Sequence, residues 1–475
     1  MEQNIILPWI QKQPEARKPD DLKTKYGEPF YLDENGNLTG INESYWAGLL
    51  AAENDFLYEP DEKQFYLYRR ETGLYEIETA DALKCQLAAR MLEASRQANI
   101  PGLERKRGNT TLTNIISHLR GIVETRGAFS KKQKIVHLAN GVLVYGSGEF
   151  DLQSFDKSFF SRNRSPISFD ENAACPRFLN ELVLPAVSED DSLLLQKYTG
   201  ICLLGENIIQ RLLILDGEAG RGKTQFANVV QHLIGMVNCT QLRTSLLAER
   251  FEIFRFLKKT LLEGVDVPAN FLTTKGASVL KGLVGGDFFD AKQKGGTGSF
   301  QFQGKFCVIV TSNSRLRIRL EGDIGAWKRR LLIVRYEAPP PKKKIDDFGS
   351  VLIRTEGSGI LNWALHGLGL VLKDVEIHGD IQLTQDQIGV VDSLLAESES
   401  LRHFLIECIE TSDDCALAVF EIVAAYSEFC PGKSWSALPL PTIHAQLEAL
   451  MLELFKSSKN HRVHATVIRS GDLTA

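Results

Sequence analysis

The chain has 475 residues, 55 Lys+Arg against 60 Asp+Glu, and a formal net charge of -5. Its 43% hydrophobic and 24% charged residues exclude a mainly disordered, collagen-like or coiled-coil chain. The acidic balance excludes a histone-like, globally basic protein, though a local patch can still bind a polyanion. At about 150 residues per domain, the length suggests roughly three domains.

The N-terminal MEQNIILPWIQKQPEARK holds an apolar stretch of six residues interrupted by a proline. That is too short for a signal-peptide core, and no run nears the roughly 18 apolar residues of a membrane span. A cytoplasmic protein of a bacterial host cytosol is expected, with no membrane partner. The first thirty residues are polar and carry Pro8, Pro14, Pro19 and Pro29, which predicts a loosely ordered arm. FLYEPDEKQFYLYRRETGLYEI reads as short strands joined by turns, and a helix is predicted over 80–98. Arg105 to Lys134 is basic with helical periodicity. VHLANGVLVYGSGEFDL predicts two strands around a Gly146–Gly148 turn.

A helical segment is predicted over 176–205. RLLILD, TLLEGVDV, FCVIVTSN and RLLIVRYE then read as buried strands, and TQFANVVQHLIG as a helix closed by a glycine. Strands alternating with helices imply an α/β core with a mostly parallel sheet. EAPPPKKK reads as a linker, since three prolines continue neither strand nor helix. ILNWALHGLGLVL is an apolar helix. From Glu397, three helical patterns and the alternating tail HRVHATVIRS give the outline of a winged helix. The eight cysteines include no C-x-x-C pair and read as small buried hydrophobes.

Gly217-Glu218-Ala219-Gly220-Arg221-Gly222-Lys223-Thr224 fits G-x-x-x-x-G-K-[ST], with a strand before it and a helix after. Glycines let successive N–H groups point at phosphate oxygens, and the helix N-terminus adds its dipole. Lys223 then reaches the β- and γ-phosphates of ATP, and the Thr224 hydroxyl ligates Mg2+. The binding set is these eight residues with Gln225. A second acidic group is needed to hold magnesium and orient the attacking water, and TLLEGVDV offers Glu263 and Asp266. Three apart on one strand, they face opposite sides unless the strand ends or bulges at Gly264. Asp266, at the C-terminal end, is the better magnesium ligand, while either carboxylate can be the base. Asn313, ending FCVIVTSN, is placed to hold the attacking water or to cap a turn. Lys328, Arg329 and Arg330 precede the last strand as a solvated face or as fingers for a neighbouring subunit's nucleotide.

From Lys292 to Arg335 ten basic residues face Glu321 and Asp323, a local +8 in an acidic chain, which is a polyanion-binding signature. Phe288 to Phe302 reads as a hairpin with a glycine-rich tip, near which Lys292 and Lys294 can grip a DNA backbone. Lys456, Lys459, His461, Arg462 and Arg469 add charge to the tail. A winged helix there serves duplex DNA or a protein.

LLLQKYTGICLLGE before ILDGEAGRGKT, KGLVGGDFFDAKQKG, VIVTSN, GAWKRRLLIV and SGILNWALHGL, in this order, resemble the superfamily 3 helicases. The likeness is to the phage, satellite and plasmid primase–helicases related to the poxvirus primase–helicase. That resemblance implies an AAA+ P-loop core in a hexameric ring, single-stranded DNA in its channel, and a finger in trans, Arg330 first and Arg329 second. It implies 3′→5′ translocation in replication of a mobile element, with a primase or polymerase partner. The expected organisation is an α+β N-terminal domain over 1–175, a helical collar over 176–205 and the AAA+ core over 206–340. A linker and lid helix then occupy 341–390, and a winged-helix-like domain 391–475. The stretch before the glycine-rich turn shows no acidic polymerase triad, so priming is not expected. Two other readings stand beside the helicase: an initiator that melts duplex origin DNA, and an ATPase that only switches assembly state.

Overall fold

The computed structural model describes residues 19–130, 133–292, 299–318, 324–411, 417–433, 435–455 and 465–467. They fall into two compact units. One is the chain up to Phe169 with Asp290–Phe302; the other is Asp170–Phe289 with the chain from Gln303 onward.

The first unit starts with α1 (Pro19–Tyr26), the antiparallel pair β1 (Phe30–Leu32) and β2 (Leu38–Ile41), and α2 (Glu43–Glu53). An antiparallel meander follows: β3 (Phe56–Glu59), β4 (Gln64–Arg69) and β5 (Leu74–Glu78). Next come α3 (Ala80–Ala98), α4 (Pro101–Arg105) and α5 (Asn109–Val123), then the meander β6 (Ile135–Leu138), β7 (Gly141–Gly146) and β8 (Glu149–Gln153). α3 has the predicted bounds because Thr79 caps it, its side chain accepting from the Ala82 N–H. Leu83, Leu87 and Met91, four apart, put one face of α3 into a core with Trp46, Leu50, Ile115 and Leu119. Two expectations change here. Part of the predicted N-terminal arm is helix α1, because Leu22 is buried and Tyr26 lies on Gly48, where a Cβ would come within 2.3 Å of its ring. The 136–152 stretch also belongs to three strands rather than two, since the chain turns once more at Ala139–Asn140.

The second unit opens with a π-helical stretch, Phe178–Val183, and α6 (Glu189–Leu204). The single helix expected over 176–205 is therefore broken, with Pro185 in the break and Ser188 capping α6. Then come β9 (Leu212–Asp216), α7 (Lys223–Ile234), β10 (Cys239–Gln241), β11 (Leu261–Gly264) and α8 (Gly276–Gly285). Next in the chain are β12 (Phe288–Lys292) and β13 (Ser299–Gln303), most of which belong to the first unit; β14 (Cys307–Ser312), α9 (Ile324–Lys328) and β15 (Leu331–Arg335) return to the second. α10 (Phe348–His378) and α11 (Gln385–Ser398) follow. The boundary expected at 390/391 falls inside α11. The C-terminal residues form α12 (Ser400–Cys408), β16 (Ile409–Thr411), α13 (Val419–Gly432), α14 (Leu440–Phe455) and β17 (Ala465–Val467). β17 pairs antiparallel with β16, directly after α12. The rest of the tail, with its five basic residues, lies outside the described residues.

β10, β11, β14, β9 and β15, in that spatial order, make one five-stranded sheet with every pairing parallel. β14 is buried along its whole length and β9 and β15 almost so. Helices on both faces of a parallel sheet require this, and so these strands read as apolar runs. Short β10 gave no such signal. α10 packs on α6 closely enough that a Cβ on Gly367 would lie 2.2 Å from the Gln196 carbonyl oxygen, and one on Gly200 2.4 Å from the Leu368 nitrogen. α10 kinks at Glu356 (φ -132°, ψ 17°). Its carboxylate accepts from the Arg177 N–H at 3.1 Å and the Phe178 N–H at 2.9 Å, and so caps the π-helical stretch. Five of the described cysteines are buried, as expected, while Cys85 is exposed. No helix among the described residues is long and apolar enough to cross a membrane.

Candidate functional site

The glycine-rich turn joins β9, the strand next to the edge, to α7. Gly217, Gly220 and Gly222 have φ of 144°, 83° and 98°, values that glycine, lacking a Cβ, adopts at little steric cost. The turn is pinned from outside. Arg221 donates to the carbonyl oxygens of Tyr336 (3.2 Å) and Glu337 (2.5 Å), just beyond β15, and to the Glu218 carboxylate at 2.5 Å.

Lys223 begins α7 and is 3% exposed. Its ammonium donates to the carbonyl oxygens of Gly217 (2.5 Å) and Glu218 (2.8 Å), and to Asn313 Oδ1 at 3.1 Å. Asn313 Nδ2 in turn donates to Asp266 Oδ1 at 3.0 Å. Lys223, Asn313 and Asp266 thus form a continuous hydrogen-bonded chain, although they lie on three separate stretches of sequence. The sheet order explains it: β14 lies between β9 and β11, so Asn313, the residue just after β14, stands between the turn after β9 and the loop after β11. β11 ends at Gly264, and Asp266 sits in the left-handed region (φ 46°) with its N–H donating to Thr311 Oγ1 at 2.9 Å. That conformation costs a non-glycine roughly 1–2 kcal/mol, less for Asp. Here it turns the carboxylate toward Asn313.

These groups border a cleft of ≈650 Å3. Ala219 to Gln225, Asp266 and Asn313 line one side, and Leu182, Pro185, Ala186, Ile345 and Phe348 give it an apolar wall. Lys343 and Lys344, from the stretch read as a linker, line it as well. Sequence reasoning gave them no role; three lysines directly after three prolines and a core strand were the available signal. Burial holds the Lys223 ammonium below its ordinary value, opposed by Asp266 and Asp216. Burial also raises Asp216, against the pull of Arg315 and Arg335. Thr224 and Asp266 supply hard oxygen donors at the cleft, which fits a magnesium ion bound by few protein ligands. Among the described residues no group of three or more His, Cys, Asp or Glu could hold a metal ion.

No protein-family model matches the chain, and no curated protein matches it in sequence. Three structures of the C-terminal region of NrS-1 are similar to it at 10% identity. One has a TM-score of 0.47 over 85% of each chain. Another scores 0.46 over 89% of this chain and 98% of that one. The third scores 0.46 over 88% and 91%.

Glu263 is not brought to the cleft. It is 4% exposed inside the sheet, and its Oε1 has no hydrogen-bond partner among the described residues. Burial raises its carboxyl from 4.5 to about 7. The folded state therefore holds this proton more tightly than the unfolded one. The resulting stability is complete below about pH 4.5 and is lost as pH rises toward 7, by a few kcal/mol. Glu263→Gln keeps the shape without the charge. It is expected to be more stable than wild type by about 2 kcal/mol at pH 8 and no more stable at pH 4.5. Urea midpoints at the two pH values test this; an equal difference at both would show that ionisation is not the cause.

The basic run divides. Lys305 pairs with Glu206 (2.9 Å), Arg315 with Glu397 (2.6 Å), Lys328 with Asp392 (2.6 Å) and Arg335 with Glu337 (3.7 Å). Acids from outside the run thus neutralise much of the +8 read from sequence. Arg330 donates to the carbonyl oxygens of Lys281 (3.4 Å) and Ala326 (3.2 Å). Arg329 is exposed and makes no ion pair with a described residue. β12 and β13 form the expected two-stranded sheet. Lys294 and the Lys292 side chain, like Arg319, Glu321 and Asp323, lie outside the described residues.

Proposed function

We propose that the chain is an AAA+ P-loop helicase that hydrolyses ATP with Mg2+ and moves 3′→5′ on single-stranded DNA as a hexameric ring. Its setting is the replication of a phage, satellite or plasmid, in a bacterial host cytosol, with a primase or polymerase as partner. The observation that carries this reading is the Lys223–Asn313–Asp266 chain beside the glycine-rich turn. It is the set of groups that phosphoryl transfer to water uses: a cation for the phosphates, an amide for the water and a carboxylate for the metal.

In this reading the phosphate tail lies on the N–H groups of Gly217 to Gln225. Lys223 exchanges two carbonyl partners for phosphate oxygens, which compensates the loss and adds charge–charge attraction. Thr224 and Asp266 would hold a magnesium ion, which would supply charge neutralisation on the phosphates. Asn313, released from Lys223, orients the attacking water. Asp266 is the better base by position; Glu263 acts only if a movement exposes it. The base of the nucleotide packs on the apolar wall of Leu182, Pro185 and Phe348. Arg329 is the finger offered to a neighbouring subunit, since Arg330 is already held by carbonyls of its own chain; this reverses the order implied by resemblance. The β12–β13 hairpin grips the DNA backbone through Lys292 and Lys294. α12 to β17 act as a winged helix toward duplex origin DNA or a protein.

ATP turnover with and without single-stranded DNA tests this. Strong stimulation is expected in wild type and none in Lys292→Ala combined with Lys294→Ala. Stimulation that survives in the double variant would remove the hairpin from the mechanism. Turnover that ignores DNA in wild type would favour the assembly switch, which the internal pairing of Lys305, Arg315, Lys328 and Arg335 makes the second reading.

A further inference from the structure

The stretch between β15 and α10, read from sequence as a linker, is anchored at both ends to the glycine-rich turn and the helix behind it. At its start Arg221 holds the Tyr336 and Glu337 carbonyls. At its end Gln225 Oε1 accepts from the Gly349 N–H at 2.8 Å, and a Cβ on Gly349 would come within 3.0 Å of the Gln225 carbonyl oxygen. Pro339, Pro340 and Pro341 stiffen the span between these ties. The strap therefore runs along the cleft that the turn lines. Lys344 Nζ lies 3.5 Å from where a Cβ on Gly220 would stand, directly over the turn.

Four cations line the cleft: Arg221, Lys223, Lys343 and Lys344. Arg221 is committed to carbonyls and Glu218, and Lys223 to two carbonyls and Asn313. Lys343 and Lys344 make no hydrogen bond or ion pair with another described residue through their side chains. The acids nearest in sequence are Asp346 and Asp347, also on the cleft; Asp347 accepts from the Ser350 hydroxyl at 2.7 Å. Two uncommitted ammonium groups over a phosphate-type turn keep their hydration, and their long stems their rotamer freedom, until an anion arrives.

We propose that Lys344, with Lys343 beside it, is a second phosphate-binding cation supplied by the same chain as the glycine-rich turn, and that the proline-stiffened strap holds it over the nucleotide's phosphate tail. This rests on the nucleotide reading above. The tail carries more negative charge than Lys223 and one divalent ion neutralise, and the strap supplies the remainder. Lysine suits the task because it approaches phosphate as a point charge from any direction, with no fork to align.

The test is the affinity of the 475-residue chain for MgATP and for AMP, measured by calorimetry on wild type and four variants. Lys343→Gln combined with Lys344→Gln is expected to bind MgATP roughly 10–100-fold more weakly, the loss of a charge-assisted contact or two, with AMP binding unchanged. Lys344→Arg, made alone, should recover most of the affinity that Lys344→Gln loses. Lys342→Gln, outside the cleft, should bind as wild type does. A double variant that binds MgATP like wild type, or loses AMP and MgATP equally, overturns the strap assignment and leaves the nucleotide reading standing. Wild type that binds no MgATP overturns both.

Discussion

Arg329→Ala is expected to lower kcat for ATP by about 10³–10⁵-fold, the usual contribution of an arginine finger, while leaving the thermal melt within a degree or two. The guanidinium is exposed and unpaired among the described residues, so its removal costs the isolated subunit little. Arg330→Ala should behave in the opposite way. Its guanidinium satisfies the Lys281 and Ala326 carbonyls and lies against Gly285, where a Cβ would come within 2.8 Å of Nη2. Losing it leaves part-buried carbonyls unmatched, at about 1–3 kcal/mol of stability, with a smaller effect on kcat. Mixing supplies the decisive measurement. Arg329→Ala and Lys223→Ala are each expected to be inactive alone, whereas a mixed ring, if the proposed assembly forms, would contain interfaces with an intact Lys223 on one side and an intact Arg329 on the other. Recovery of turnover on mixing is expected. No recovery, with both variants folded and assembled, would show that the finger does not act between subunits.

Lys223→Ala is expected to reduce ATP turnover by at least about 10²–10³-fold, the scale of losing one aligned electrostatic donor at a reacting oxygen. In the proposed reading the cation that would meet the phosphates disappears. Stability should fall too, since the buried ammonium satisfies the Gly217 and Glu218 carbonyls and Asn313; about 1–3 kcal/mol is expected. Turnover at saturating ATP and low temperature separates lost catalysis from lost stability, because a merely destabilised enzyme recovers its rate there. A folded Lys223→Ala protein with wild-type kcat would remove the glycine-rich turn from the chemistry.

Much of the second unit was legible in the sequence because its signals are local. GEAGRGKT needs three glycines at positive φ within a few residues, and that local demand marks the turn before any neighbour is known. β9, β14 and β15 are continuous apolar runs because both faces of a parallel sheet are covered. Glu263 and Asp266 show where local reading stops. Strand alternation alone sets them on opposite faces. The chain leaves the strand at Gly264 and Asp266 takes a left-handed conformation, held there by the Thr311 hydroxyl on the neighbouring strand and by the Asn313 amide beyond it.

Amino-acid order by itself determined the turn, the strands, most helices and the residue types able to meet a phosphate. The tertiary structure decided which of those residues meet. It set β14 between β9 and β11, so that Asn313 joins Lys223 to Asp266 and Glu263 remains inside the sheet. It paired Lys305, Arg315 and Lys328 with acids outside the basic run, and folded a proline-lysine linker over the turn. The reason is physical. Period and turn chemistry act over a few residues and are written locally. Strand order, ion pairing and the path of a loop follow from which distant apolar faces can be buried together, and that is settled by the whole chain at once.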